Sequence, residues 1–175
     1  MIESIDNMDR LILEKEFNSP TKGKLNFGEV IGEITRFMME QPDILYKVIV
    51  GTDSKADGGK GVADVDFVTA IVIHRIGKGG RYFYTIRTER CSIRTDVRFI
   101  NETLKSSTLA VTLDKCLTLI LGPQRDNMEI HLDGGQNGPT KEVINKAIGI
   151  VSGFGFKAKI KPDAFGASKV ADRHT

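Results

Sequence analysis

Apolar residues recur at two spacings along this 175-residue chain, and the switches between them mark its elements. From Asn26 the helical spacing holds, with Phe27, Val30, Ile31, Ile34, Phe37 and Met38 on one stripe. Asn26 and Glu29 have capping-box spacing, and Pro42 ends the run after Gln41. Runs rich in Val, Ile, Thr and aromatic residues then predict strands over 46–52, 67–75 and 81–91. Gly77-Lys78-Gly79-Gly80 is the hairpin turn between the second and third. The stretch 54–66, which contains Asp57-Gly58-Gly59-Lys60-Gly61, reads as a mobile loop. A helical pattern returns from about Val97 to Leu121, with Asp96 as its cap and Gly122-Pro123 as its stop. It carries apolar residues on more than one face, which predicts a helix buried between layers. A fourth strand follows at 128–132 and a helix runs from Pro139 to near Gly153. A fifth strand at 156–160 is broken by Pro162, and a last short helix starts near Ala164.

The order β-β-β-α-β-α-β-α predicts an α/β fold, a mixed sheet with helices on its faces. Ahead of it, residues 5–17 suggest a short appended helix and 20–24 a linker. The expected organisation is therefore an acidic N-terminal extension, 1–25, and one domain, 26–175. The length suits one domain with a core that needs no staples.

Composition narrows the picture. The 40% hydrophobic and 27% charged content is ordinary for a globular protein. No apolar run approaches the ~20 residues of a membrane-spanning helix, so no membrane partner is expected. The opening MIESIDNMDR is acidic and polar, unlike a secretory signal. Cys91 and Cys116 are isolated and read as reduced thiols of a cytoplasmic protein. A net charge of +2 says little, but its distribution says more. Arg75, Lys78, Arg81, Arg87, Arg90, Arg94 and Arg98 face only Glu89 and Asp96 within that stretch. The tail adds Lys157, Lys159, Lys161, Lys169 and Arg173. Such segments make a surface for an anionic polymer, or else solvated strand faces and edge lysines.

Candidate chemistry sits at strand ends. Asp53 and Asp133 each close an apolar strand, and strand carboxyl ends are where open α/β sheets bind ligands. Both residue types also suit ordinary turns. Two carboxylates brought together repel, and need a proton or a cation between them. Hard oxygen ligands favour Mg²⁺ or Mn²⁺. Glu102 continues the stripe of Leu109, Leu113, Cys116 and Ile120 one turn inside the long helix. Either it points over the rim toward Asp53, or it is solvated near the helix start. Asp172 in the last helix is the fourth candidate, with Asp163 and His174 as alternatives. His74 and His131 lie inside strands. His131 shares the sheet face of Asp133, one layer deeper, where it can hold a ligand residue in place. The glycine-rich loop at 57–61 lacks the full phosphate-loop pattern and no helix follows it directly.

The order Asp, Glu, Asp, Asp is similar to the acidic constellation of the ribonuclease H-like superfamily. Val50-Gly51-Thr52-Asp53-Ser54, His131-Leu132-Asp133-Gly134-Gly135 and the run from Lys159 to Thr175 resemble the YkuK-like family of predicted ribonuclease H-like proteins. The resemblance spans roughly residues 26–175. It implies a five-stranded mixed sheet with strand two antiparallel and helices on both faces. It also implies a divalent-metal nuclease site of Asp53, Glu102, Asp133 and Asp172. The reaction would be hydrolysis of phosphodiesters in RNA, DNA or a hybrid. One ion would lower the pKa of a bound water and a second would stabilise the leaving oxygen. Two other functions stay open. One is a nucleic-acid-binding module without turnover. The other is an actin-like phosphotransferase, whose phosphate loops Gly51-Thr52-Asp53-Ser54 and Leu132-Asp133-Gly134-Gly135 also resemble. Such enzymes use two domains around a nucleotide, and this chain has room for one.

Overall fold

A computed structural model describes residues 12–56, 58, 61–134, 141–164 and 167–174. Its elements in chain order are β1 (Glu16–Ser19), β2 (Gly23–Asn26), α1 (Phe27–Met39), β3 (Tyr46–Ala56), β4 (Val62–Arg75) and β5 (Gly80–Ser92). There follow α2 (Thr95–Leu121), β6 (Met128–His131), α3 (Lys141–Gly153), β7 (Lys157–Lys159) and α4 (Ala167–His174).

Seven strands form one sheet in the order β2-β1-β5-β4-β3-β6-β7. The five expected strands are present, and the expected count of five is corrected by the hairpin β1–β2. That hairpin is antiparallel and joins the free edge of β5. Of the helix expected over 5–17, residues 5–11 lie outside the described residues, and at Glu16 the expectation is corrected, since residues 16–19 pair as a strand. They form a strand because Phe17 and Ser19 turn inward while Glu16 faces solvent, a two-residue period too short to register against a helical pattern. β3, β4 and β5 are antiparallel, whereas β6 and β7 run parallel to β3.

The reading of 54–66 as a loop is also corrected. β3 runs on to Ala56 and β4 begins at Val62, paired as far as Ala56 with Val65. Val65 and Phe67 point inward, while Asp64 and Asp66 face Arg90 and Thr88 across the strand pair. Asp57, Gly59 and Lys60 lie outside the described residues. The turn between β4 and β5 forms as expected, with Gly77 and Gly79 at φ 78° and 83°, conformations that favour glycine.

α1 begins with the expected capping box. The Glu29 amide donates to Asn26 Oδ1 at 2.9 Å, and the Asn26 amide donates to Glu29 Oε2 at 2.7 Å. At α2 the cap position is Arg94, not Asp96. Asp96 lies in the first turn, where the Arg94 guanidinium holds its carboxyl below the usual range.

Two cores flank the sheet. α1, α2 and α3 cover one face, packing Val30, Ile34, Leu109, Leu113, Leu117 and Val151 onto Val48, Val50, Ile71 and Ile130. α4 covers the other, with Ala167 and Ala171 against Ile49, Val68 and Ala70. The alternation along β3 therefore sends even-numbered residues toward α2 and odd-numbered ones toward α4. Among the described residues no helix is long and apolar enough to cross a membrane.

Candidate functional site

β3 and β6 are neighbours, with Gly51 opposite His131 in the last pair of their ladder. Asp53 and Asp133 each stand two residues beyond that pair, so both carboxylates arrive at the same rim. Asp53 does not close β3 as expected: it is still paired with Val68 of β4, and the alternation puts it on the α4 side. Ser54, the next residue, faces α2, and there its hydroxyl donates to Glu102 Oε1 at 2.5 Å. The rim thus receives acids from both faces of the sheet.

Glu102 is buried, at 8% exposure. The helical stripe brings it there: Ser106, Leu109, Leu113 and Leu117 follow it into the core. Cys116 is half-buried and Ile120 exposed, so the stripe turns toward Leu117 rather than continuing through those two. One turn below, Thr52 Oγ1 lies 2.8 Å from Ser106 Oγ and 3.0 Å from Thr69 Oγ1, tying β3 to both α2 and β4. Burial pushes the Glu102 carboxyl up to about 7, and the negative charges of Asp53 and Asp133 push the same way. The Ser54 hydroxyl and the Arg98 guanidinium oppose them. Arg98, one turn earlier on α2, donates from Nη1 to the Ser54 carbonyl at 2.8 Å and to its hydroxyl at 3.2 Å.

On the other side of the rim Lys161 Nζ lies 2.5 Å from Asp133 Oδ1, a short ion pair that raises the lysine pKa. The lysine also feels Asp172 and Asp53. Gly134 lets Phe99 approach the chain just past Asp133, since a Cβ there would meet Phe99 Cζ at 2.9 Å.

Asp53, Glu102, Asp133 and Asp172 therefore share one electrostatic neighbourhood. As placed, however, no three His, Cys, Asp or Glu side chains among the described residues approach closely enough to hold one ion. The donor chemistry fits Mg²⁺ or Mn²⁺: hard carboxylate oxygens, one raised toward neutrality by burial and by its like-charged neighbours, and one held by an ammonium. The contacts at the rim are instead those of Ser54, Arg98 and Lys161. In the sequence Arg98 and Lys161 read only as members of basic segments and Ser54 only as part of a motif, although Ser54 adjoins Asp53, Arg98 lies at i−4 from Glu102, and Lys161 opens a Lys-Pro-Asp run.

The alternative residues make other contacts. Asp163 is exposed in the turn after β7, its amide donating to the Ile160 carbonyl. His174 stacks on Tyr84, 3.7 Å between ring centroids, and its Nε2 is 3.4 Å from the Tyr82 hydroxyl, so it serves the packing of α4 on β5. His74 pairs across the sheet with Gly80, at the end away from the acids. His131 is buried below Asp133, its Nε2 3.4 Å from Glu129 Oε2, and burial lowers its pKa. Burial raises Glu129, but the Lys47 ammonium at 2.5 Å and His131 outweigh it and leave the carboxyl below its usual range.

The basic stretch divides in two. Arg75 is buried over the Phe37 ring and donates to the Phe37 carbonyl, and Arg81 pairs with Glu33 and Glu40. Arg87, Arg90 and Arg94 are exposed on the half of the molecule that carries the rim.

A family model described as ribonuclease H-like matches residues 29–175. The uncharacterized protein YkuK of Bacillus subtilis (strain 168) is 31% identical over 172 residues, covering 91% of this chain and 96% of its own. No solved structure matches the chain. On the family match, the relative and a mixed sheet flanked by helices, the chain belongs to the ribonuclease H-like family, in its YkuK-like branch.

Proposed function

We propose that the protein is a divalent-metal-dependent nuclease that hydrolyses nucleic-acid phosphodiesters at the rim formed by Asp53, Glu102, Asp133 and Asp172. The observation that carries this reading is Glu102. It is a buried carboxyl beside two aspartates, raised to about 7, on an element whose hydrogen bonds hold it there. A buried carboxyl with like-charged neighbours is costly to ionise unless a cation offsets it, and perturbed groups cluster at functional sites. Mg²⁺ or Mn²⁺ held by the four acids would supply an activated water and charge stabilisation at the leaving oxygen. The chain's own part is to hold Glu102 against Ser54 and to release its proton when a cation is bound. Arg87, Arg90 and Arg94 would contact phosphates at the rim, which predicts binding that weakens as salt rises.

A second reading has its own support. Lys161 already sits on Asp133, and a cation-filled rim suits a nucleic-acid-binding module without turnover. The two separate on a panel of labelled single-stranded RNA, duplex RNA, RNA–DNA hybrid, single-stranded DNA and four-way junctions, with Mg²⁺ and with Mn²⁺. Cleavage is expected, with kcat reduced about 100-fold or more by Asp53→Asn. Salt-sensitive binding without cleavage would select the module, and neither binding nor cleavage would remove both readings.

A further inference from the structure

We propose that Lys161 is a resident cation of the acid rim, which holds the acids together and competes with a divalent ion for Asp133. The inference rests on the metal-site reading above and deepens it.

Three observations carry it. First, backbone hydrogen bonds fix the position of Lys161. The Leu132 amide donates to the Lys159 carbonyl at 2.9 Å, and the Lys161 amide donates to the Gly134 carbonyl at 3.0 Å. These two bonds continue the β6–β7 pairing past the strand ends and bracket Asp133 and Lys161 between them. Second, the ammonium reaches its target, at 2.5 Å from Asp133 Oδ1. That oxygen is buried, and among the described residues the Lys161 ammonium is its polar partner. Third, the lysine serves the cluster as a whole, because Asp172 and Asp53 act on it along with Asp133.

Its side chain is 58% exposed, whereas that of Asp133 is 25% exposed. A flexible four-carbon stem with an open side can swing away without disturbing the core. A divalent ion bound by Asp133 would repel the ammonium, and the ammonium would shield Asp133 from the ion. Without the ion the lysine offsets part of the repulsion among the acids. With it, the lysine must leave.

The test uses the full chain and Mn²⁺ alone, followed by calorimetric titration and by thermal unfolding without divalent ions. Lys161→Gln removes the charge and keeps a polar side chain, one atom shorter. It should bind Mn²⁺ about tenfold more tightly than wild type, an effect of the size expected for one charge beside the site. Without metal it should melt about 2–4 °C lower. Lys161→Arg should stay near wild type in both measurements, and Lys157→Gln, on the exposed side of β7, should change neither. Binding of Mn²⁺ by Lys161→Gln alone would be the extreme form of the same result. Equal or weaker Mn²⁺ binding in Lys161→Gln, with wild type binding normally, overturns the role of Lys161 and leaves the metal site standing. No Mn²⁺ binding by either protein overturns the metal site and this inference with it.

Discussion

Glu33 and Glu102 are buried to the same 8% exposure, at opposite ends of the sheet, and their neighbours are opposites. Glu33 on α1 is ringed by cations: Arg36, Arg81 at 3.3 Å and Lys22 at 3.7 Å. Arg75 closes the same end, over Phe37 and against Glu40 at 3.2 Å. Charge there is answered within the fold. Glu102 has a hydroxyl and one guanidinium for support, with Asp53 and Asp133 as like-charged neighbours. Burial alone therefore does not distinguish structure from function in this molecule. The sign of the surrounding charge does. Glu33 is answered by paired cations, whereas Glu102 and its neighbouring aspartates keep a surplus that Arg98 and Lys161 offset in part and a proton or an added cation would offset further.

The comparison breaks if both glutamates respond alike to neutralisation. Glu33→Ala should destabilise the protein by about 1–2 kcal/mol, since it removes the buried carboxylate that pairs with Arg36, Arg81 and Lys22, while those cations are exposed enough to stay solvated without it. Chemical denaturation measures it. An added ion should act only at the other end. Mn²⁺ at a hundredfold excess over its dissociation constant should stabilise wild type by about 2.7 kcal/mol by mass action. Asp53→Asn and Asp133→Asn should shrink that gain and Glu33→Ala should leave it. An equal thermal shift in Asp53→Asn would place the ion elsewhere.

Glu102→Gln should do the reverse of Glu33→Ala. The Glu102 carboxyl is raised from 4.5 to about 7 in the fold. A raised acid prefers its neutral form, so its favourable contribution is complete below about pH 4.5 and lost as pH rises through about 7. Without divalent ions, wild-type stability should fall by on the order of 2 kcal/mol between about pH 5 and about pH 8. Glu102→Gln should lose that slope, and so be the more stable protein at the upper pH. A slope retained in the variant would assign the titration to another group.

The legible parts of the chain were those with long periods. The α1 stripe and its capping box, the β4–β5 turn and the order of elements from β3 onward all follow from spacing that the structure keeps. Hairpin β1–β2 was lost because four-residue strands carry barely two alternations, with Pro20 and Gly23 reading as a linker. The extension of β3 and β4 was hidden by glycines, although Asp64 and Asp66 alternate with Val65 and Phe67. At the site, strand-end position pointed to Asp53 and Asp133 and the helical stripe to Glu102. Lys161 was not legible as a partner of Asp133, because a contact between parallel strands across a helix leaves no local signal. His174 illustrates the converse: it adjoins Asp172 in sequence, yet its ring belongs to Tyr84 on β5.

The smallest expected effect concerns Asp172. It is exposed on α4, which Ala167 and Ala171 hold to the sheet and whose end His174 pins to Tyr82 and Tyr84. Those contacts stay when its charge is removed, and its field reaches the rim through solvent and through Lys161. Asp172→Asn should therefore shift the melting temperature without metal by no more than about 1–2 °C, the scale of a surface substitution. If Asp172 is the fourth acid, its Mn²⁺-induced shift should nevertheless shrink. Asp163→Asn, in the exposed turn, should match wild type in both measurements. A reduced metal response in Asp163→Asn and a full one in Asp172→Asn would exchange their roles. The rim would then draw its last acid from the turn beside Lys161, and α4 would contribute packing alone.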